Sequence, residues 1–271
     1  MTAVEPTEPL LVVDDLTVSV SRRAIVQGVT FRVEPGEFIA VLGTAGSGTS
    51  TLLSILADGT FGHQTAAKIT GGDARLLGVS LRKASLRKKR KLGVQIGALL
   101  EGDAAALPAS ETVFAVITEE LFAIDKNFDL AQAQQHAALL LDLVHLPIGL
   151  LEQRVFRLSS GQRQRVALAK ALVVEPQFVI ADKPGAGIDS SVRASLLRSL
   201  AALTADGRVG GILGVGSIAE ARIVTSKLLV LDRGQVIAAG TPDEIAGDRS
   251  SPAMRALNEA ESTLYGDTNS A

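Results

Sequence analysis

The chain has 271 residues, of which 46% are hydrophobic and 21% charged, a composition that is ordinary for a globular protein with a sizeable core. Its 27 basic and 29 acidic side chains give a net charge of −2, which excludes a chain-wide basic surface for nucleic acid or an anionic membrane. There is no cysteine, which excludes disulfides, thiolate metal sites and a cysteine nucleophile.

The N-terminal sequence MTAVEPTEP lacks the basic and apolar regions of a signal peptide. The most apolar stretch, residues 137–151, contains Asp142, His145 and Pro147 and falls short of the roughly 20 apolar residues that span a bilayer. We therefore expect a cytoplasmic protein that reaches a membrane only through partner subunits.

The first part of the chain is typical of β-structure, with apolar runs at residues 10–13, 16–20, 29–33 and 38–42. A short helix is predicted over residues 50–57. The glycines at 71 and 72 predict a turn, and residues 76–79 a further strand. Residues 82–91 hold seven basic side chains in ten, and we expect them to form a solvent-exposed surface.

Beyond residue 98 the apolar spacing becomes helical, which predicts helices over 111–121, 130–143 and 160–174. Strand-like runs return at 178–181, 209–215 and 228–231, with a helix over 190–205 between the first two and a hairpin at 232–239. A weak helix is predicted over 252–264. The predicted organisation is a flexible N-terminus (1–9), an α/β domain (10–247) with an inserted helical subdomain (about 98–162), and a peripheral tail (248–271).

The most informative short stretch is VLGTAGSGTST, residues 41–51, which follows an apolar strand and opens a helix. It fits the phosphate-binding pattern G-x-x-x-x-G-K-[ST] at every fixed position except one, because Thr49 stands in place of the lysine. The nucleotide-binding candidates in this loop are Gly43, Gly46, Ser47, Gly48, Thr49, Ser50 and Thr51.

A second stretch, LSSGQRQRVALAKALVVEPQFVIADKPGAGID at 158–189, resembles the signature helix, Walker B strand and D-loop of ATP-binding cassette (ABC) proteins. The turn EPGEFIAVLG and the segment LVLDRGQVIAAGTPDEI resemble the same family. The resemblance implies a P-loop NTPase core with an antiparallel β subdomain and an inserted α-helical subdomain. It also implies magnesium-binding roles for Ser50 and Asp182, and assigns Asp189 to the D-loop. The implied signature residues are Ser159, Ser160, Gly161 and Gln162.

The sequence departs from the family pattern at five functional positions. Thr49 replaces the P-loop lysine, Lys183 the catalytic glutamate, and Gly216 the switch histidine. Gly97 is expected at the Q-loop glutamine, with a register on Gln95, two residues earlier, as the alternative. Val20 is expected where an aromatic side chain usually stacks on adenine. No catalytic residue of the family is intact, so we expect weakened ATP and magnesium binding and no hydrolysis at this chain's own P-loop.

Lys183 has two interpretations. It is either the result of relaxed constraint on an inactive site or a cation that clamps a γ-phosphate without cleaving it. Relaxed constraint is the better-supported interpretation, because single positions drift once their function is lost.

In the ABC family each nucleotide lies between one chain's P-loop and its partner's signature. The favoured hypothesis is therefore a degenerate subunit of a heteromeric ABC transporter, paired with a catalytically complete ATPase and with integral membrane subunits, and binding no nucleic acid. It would lie peripherally at the cytoplasmic face of the membrane. The alternatives are a scaffold or regulatory protein that uses the fold without nucleotide, and a working ATPase with a replacement base.

Overall fold

The computed structural model describes residues 8–60 and 63–248, together with 250, 254, 255, 257 and 259. In chain order the strands are β1 (Leu11–Val20), β2 (Arg23–Val33), β3 (Phe38–Gly43), β4 (Lys68–Leu76), β5 (Val79–Ser80), β6 (Ile96–Leu99), β7 (Phe178–Asp182), β8 (Gly210–Val215), β9 (Leu228–Asp232) and β10 (Gln235–Gly240). The α-helices are α1 (Thr49–Leu56), α2 (Leu86–Gly93), α3 (Asp103–Ala106), α4 (Val113–Ile124), α5 (Leu130–Leu143), α6 (Ser160–Leu172), α7 (Ser190–Ala202), α8 (Ile218–Val224) and α9 (Pro242–Gly247).

The strands form two sheets. The larger has the order β10-β9-β3-β8-β7-β6, and it is parallel except for the hairpin strand β10. The smaller, β2-β1-β4-β5, is antiparallel throughout. Strands β7 and β8 are buried along their whole length. This explains their continuous apolar sequences, since a parallel sheet is covered on both faces.

Helices α3 to α6 are inserted between β6 and β7, and α6 packs against α3, α4 and α5. Three of these helices, α4, α5 and α6, begin where a polar side chain accepts a backbone hydrogen bond. Thr112 Oγ1 accepts from Ala115 N at 3.2 Å, and Asp129 Oδ1 accepts from Gln132 N at 2.8 Å. Such caps satisfy amide groups that have no partner within the helix. The expected α/β core with an inserted helical region is therefore present.

The smaller sheet differs from the sequence prediction. The predicted strands at 10–13 and 16–20 are one strand, β1, whose pairing is irregular next to Asp15, a residue with φ of 45°. The predicted turn at 71–73 lies inside β4, where Gly72 has φ of 59° and a side chain would overlap the backbone of β1. The predicted strand at 76–79 is instead a turn through Leu77 and Gly78. These errors share one cause, because glycine and aspartate mark bulges as well as turns.

The C-terminal part contains a helix that the sequence analysis did not separate. Thr241 Oγ1 accepts from Glu244 N, the Glu244 carboxylate accepts from Thr241 N, and Pro242 follows the cap, which together start α9. Of the weak helix predicted over 252–264, residues 254, 255, 257 and 259 are described and are helical, and the rest lies outside the described residues. The domain boundaries given above remain a prediction.

Candidate functional site

The phosphate-binding loop, Asp182 and Gly216 lie at one edge of the larger sheet. Strands β3, β8 and β7 are parallel neighbours, so their carboxyl ends lie side by side. The register pairs Leu42 with Val215 and Asp182 with Gly214. The loop after β3, Asp182 at the end of β7 and Gly216 after β8 are thereby brought together, at the edge where open α/β sheets bind ligands.

The phosphate-binding loop, residues 43–51, keeps the backbone shape that its glycines predict. Gly46 and Gly48 have φ of 79° and 98°, values that favour glycine. A Cβ on Gly48 would lie 2.9 Å from the carbonyl oxygen of Ile25 in β2. Gly234 N donates to Ser47 O at 2.8 Å, which ties the loop to the β9–β10 turn. The loop therefore offers backbone N–H groups at the start of α1, a recognised setting for anions.

Thr49, at the lysine position, is turned into the loop. It is buried, and its hydroxyl lies 3.0 Å from the hydroxyl of Ser47, also buried. Both hydroxyls face the Cα of Gly43, where a side chain would overlap them. Thr49 thus supplies no charge, and its hydroxyl is already engaged within the loop.

Ser50 and Asp182 line a cavity of about 410 Å³, called here the edge cavity. Asp182 is 5% exposed, and its Oδ1 is buried without a hydrogen-bond partner in the described structure. A buried polar atom of this kind normally has a partner, which an ion can provide. A carboxylate and a hydroxyl are ligands that Mg²⁺ accepts. The donor set therefore fits a magnesium ion, and binding of one by Ser50 and Asp182 stays a prediction.

Gly97, expected at the Q-loop glutamine, is a strand residue in the structure. It lies within β6, paired with Val179 of β7, and any side chain there would overlap the carbonyl oxygen of Ala171. Glu101, two residues beyond β6, lines the edge cavity with Ser50 and Asp182. The Q-loop register therefore stays a prediction, and Glu101 is a cavity carboxylate that the sequence did not indicate. Reading 96–99 as a strand would have placed residue 101 just beyond the sheet edge.

Lys183 and Gly216 lie at the same edge of the larger sheet, but their surroundings differ. Lys183 is exposed, has φ of 49°, and its ammonium has no ion-pair partner among the described residues. Gly216 N donates to Glu220 Oε2 at 2.8 Å, and Glu220 Oε1 pairs with Arg193 at 3.3 Å. Arg193 also donates to the carbonyl of Ile188 at 2.8 Å, so it links the 183–189 loop to the loop after β8.

The signature residues 159–162 form the start of α6. Ser159 and Gln162 make a reciprocal capping box, with Ser159 Oγ accepting from Gln162 N at 3.2 Å and Gln162 Oε1 accepting from Ser159 N at 2.9 Å. A Cβ on Gly161 would lie 2.7 Å from the carbonyl oxygen of Gly187, whereas Ser160 is exposed. None of these four residues lines the edge cavity.

Asp189 and Val20 complete the set of predicted positions. Asp189 precedes α7 as its N-cap residue but makes no side-chain cap hydrogen bond. Burial lowers the pKa of Arg165, on α6, and the negative charge of Asp189 partly opposes this shift. Val20, at the aromatic position, lines the edge cavity and offers no ring for stacking.

A parallel sheet with a glycine-rich loop before a helix, and an unpartnered carboxylate on a nearby strand, are features of the P-loop fold. The chain belongs to the ABC transporter family, whose model matches residues 26–186. In the part of the chain that the structure describes, no helix is long and apolar enough to cross a membrane.

Several curated relatives and solved structures are similar to the chain. It is 27% identical over 240 residues to the nickel import ATP-binding protein NikE of Brucella suis, covering 89% of this chain and 87% of that protein. It is 31% identical over 222 residues to the sulfate/thiosulfate import ATP-binding protein CysA of Bradyrhizobium diazoefficiens, covering 82% of this chain but only 61% of that one. It is 26% identical over 220 residues to the oligopeptide transport ATP-binding protein OppF of Lactococcus lactis, covering 81% of this chain and 66% of that protein.

Among solved structures, the dimeric ATP-binding cassette MJ0796 bound to ADP and Pi superposes with a TM-score of 0.74 at 22% identity, covering 86% of this chain and 98% of that one. The likeness shows the fold, and the predicted fold class is confirmed.

Proposed function

We propose that this chain is a degenerate nucleotide-binding subunit of a heteromeric ABC importer, which contributes its signature to the ATP site of a catalytically complete partner. The observation that carries the proposal is the ammonium of Lys183, unpaired among the described residues and directly after Asp182, where the family has its catalytic glutamate. The names of the relatives, which include nickel import and sulfate/thiosulfate import, support import as the direction.

Lys183 argues against hydrolysis at this chain's own loop. An ammonium cannot accept a proton from an attacking water, and loss of a positioned general base typically costs about 10²–10⁴ in rate. The nearby Glu220 is engaged by Arg193 and Gly216 N, so it is not available as a substitute. Gly216 itself has no side chain with which to hold a phosphate.

Nucleotide binding at the same loop should be weakened but retained. The backbone amides at the start of α1 and the pair Ser50 and Asp182 would hold phosphate and Mg²⁺. Loss of the lysine forgoes charge-assisted hydrogen bonds of about 1.5–3 kcal/mol, and the absence of adenine stacking at Val20 forgoes about 1–3 kcal/mol more. These contributions are not strictly additive, but they favour an affinity about a hundredfold or more below that of an intact site.

The signature side retains what a partner would need. Ser160 is exposed at the start of a 13-residue helix, whose N-terminus attracts anions. The proposed partners are a second ABC ATPase with an intact lysine and glutamate, and integral membrane subunits that hold both ATPases at the cytoplasmic face. A scaffold that never meets nucleotide has no evident need for this exposed helix end or for the buried, unpartnered oxygen of Asp182.

A working ATPase is the second candidate, and one observation favours it. Glu101 lines the edge cavity beside Ser50 and Asp182, so a carboxylate is present that the sequence analysis did not find. If Glu101 served as a base, the isolated chain would hydrolyse ATP with magnesium, and Glu101→Gln would abolish that turnover. We expect the isolated chain to show no turnover above that of buffer.

The decisive experiment substitutes the exposed signature position. The complex of this chain with its copurifying ATPase and membrane subunits would be prepared with Ser160→Glu, which sets a carboxylate against the partner's γ-phosphate. We expect assembly to persist and ATPase activity to fall about tenfold or more. Gly161 is unsuitable for this test, because any side chain there would press on Gly187 and disturb the fold.

Two controls separate the hypotheses. Ser195→Glu makes the same chemical change on α7, next to Arg198, and should leave activity unchanged. Lys183→Ala lies in the chain's own site and should change activity less than twofold. If Ser160→Glu also leaves activity intact, the scaffold hypothesis is favoured. If Lys183→Ala abolishes activity while Ser160→Glu does not, the chain's own site contributes the chemistry.

A further inference from the structure

A second cavity lies away from the edge cavity, between the β4–β5 turn, α2 and the start of β6. Its volume is about 680 Å³. We call it the basic trough, and its lining residues are Leu77, Gly78, Val79, Ser80, Lys83, Ala84, Lys88, Lys91, Leu92, Val94 and Gln95. It shares no residue with the edge cavity, and the functions considered above make no use of it.

The trough is strongly and locally positive. Residues 82–91 hold seven of the chain's 27 basic side chains and none of its 29 acidic ones. Lys83, Lys88 and Lys91 are exposed and have no acidic partner among the described residues. Lys89 differs, because it is turned away and pairs with Asp58 at 2.6 Å. The chain as a whole is slightly acidic, so this charge is confined to one surface.

Between the lysines the trough is apolar. Leu77, Val79, Leu92 and Val94 contribute to its lining, and Val94 remains 37% exposed. Leu86, the first residue of α2, is 54% exposed. Exposed apolar side chains next to unpaired cations are more typical of a surface that contacts a partner than of one that faces only solvent.

The walls of the trough are held in place by local structure. Ser85 caps α2 by accepting a hydrogen bond from Lys88 N at 3.4 Å. Leu77 and Gly78 have φ of 47° and 75°, and Leu77 N donates to the carbonyl of Leu10 at 2.7 Å. Lys88 and Lys91 are three residues apart on the helix and therefore share a face.

We propose that the basic trough docks an acidic segment of a partner protein, with an apolar side chain of that segment inserted between the three lysines. Charge complementarity selects the acidic segment. The concave apolar lining selects a protruding side chain, which a flat bilayer surface does not offer. No aromatic residue lines the trough, so it lacks the stacking platform typical of single-stranded nucleic acid sites.

The test measures peptide binding to the full chain by fluorescence anisotropy at low salt. The probe is a labelled peptide of repeated Glu-Glu-Leu units, and the matched peptide has Gln in place of Glu. We expect the acidic peptide to bind, the Gln peptide to bind at least tenfold more weakly, and added salt to weaken binding by screening.

Matched variants locate the binding surface. The triple substitution Lys83→Gln, Lys88→Gln, Lys91→Gln should weaken binding of the acidic peptide about tenfold or more. A control triple, Arg23→Gln, Lys68→Gln and Lys126→Gln, removes equal charge from exposed positions elsewhere and should change binding less than twofold. Val79→Asn tests the apolar lining and should weaken the acidic peptide about threefold or more.

Three results would overturn the proposal. The first is equal weakening by both triple variants, which would show unspecific attraction. The second is equal binding of the Gln peptide. The third is tighter binding of phosphatidylserine vesicles or duplex DNA than of the peptide, lost in the trough variant, which would make the surface a membrane or nucleic-acid contact.

Discussion

Glu120 on α4 lies in a small cavity of about 200 Å³ between the inserted helices and the loop after α1. Burial raises the pKa of its carboxyl to about 7. The positive charges of Lys170 and His63 oppose this shift, while Glu119 adds to it. Neither side chain is directed to Glu120, since Lys170 pairs with Glu119 at 2.6 Å and His63 Nε2 lies 2.9 Å from Asp103 Oδ2. We predict that Glu120→Gln removes a pH-dependent loss of stability.

The sign and size follow from linkage. The pKa is raised in the folded state from 4.5 to about 7, so between these values the native protein binds more protons than the unfolded chain. The contribution of Glu120 to the free energy of unfolding is therefore fully present below pH 4.5, falls as the pH rises to about 7, and stays lower above that pH. A tenfold change in the acid dissociation constant corresponds to about 1.4 kcal/mol, so the loss is about 2–3 kcal/mol once partial solvent access is allowed for.

Urea unfolding between pH 4.5 and 8 would measure this effect. Wild type and Glu120→Gln should have similar free energies of unfolding at the acidic end, and the variant should be more stable by about 2 kcal/mol at pH 8. Glu152→Gln is the matched control, because Glu152 is exposed and is not among the charges that shift the pKa of Glu120, so this variant should not change the slope. A constant difference between wild type and Glu120→Gln across this range would refute the reasoning.

Three further predictions concern the sheet edge. Thr49→Lys should raise ATP affinity about tenfold or more by calorimetry without creating turnover, and unchanged affinity would mean that the loop is closed to nucleotide. Asp182→Asn should stabilise the nucleotide-free chain by about 1 kcal/mol, because it removes a buried charge with an unpartnered oxygen. The same variant should abolish any magnesium-dependent rise in Tm. A Tm below that of wild type without ligand would contradict this reasoning. Glu220→Gln should cost about 1 kcal/mol in urea unfolding by weakening the contacts with Arg193 and Gly216, and an unchanged midpoint would show that these contacts are dispensable.

The parts of the fold that the sequence predicts well are those whose sequence period matches their burial. The apolar runs at 38–42 and 178–181 are β3 and β7, and the helix predicted over 130–143 has the bounds of α5. Each of these elements is recognisable from its own residues. The small sheet was predicted less well, because its bulges at Asp15 and Gly72 depend on how two strands meet.

The candidate site shows the same division. The loop at 43–51 and Asp182 are recognisable because their spacing along the chain encodes their geometry. Glu101 was missed because its place in the edge cavity depends on where β6 ends. The link from Arg193 to Glu220 spans 27 residues and joins side chains of α7 and α8. No sequence pattern within either helix predicts such a contact.

Retention of the glycine loop is weaker support for nucleotide binding than it first suggests. Gly48 fits against the carbonyl of Ile25, and Gly234 N bonds to Ser47 O, so the loop joins β3 to β2 and to the β9–β10 turn. These contacts would preserve the glycines even in a chain that bound nothing.

No contact of this kind explains why Asp182 is present. Its buried Oδ1 has no hydrogen-bond partner in the described structure, and a group of this kind costs stability when nothing binds it. The same reasoning applies to the signature, where Ser159, Gly161 and Gln162 serve the cap and the packing on Gly187, but the exposed Ser160 serves neither. Under the proposed function, the unpartnered oxygen of Asp182 is explained by a bound magnesium ion, and the cation at Lys183 by the loss of the base that would activate water for hydrolysis.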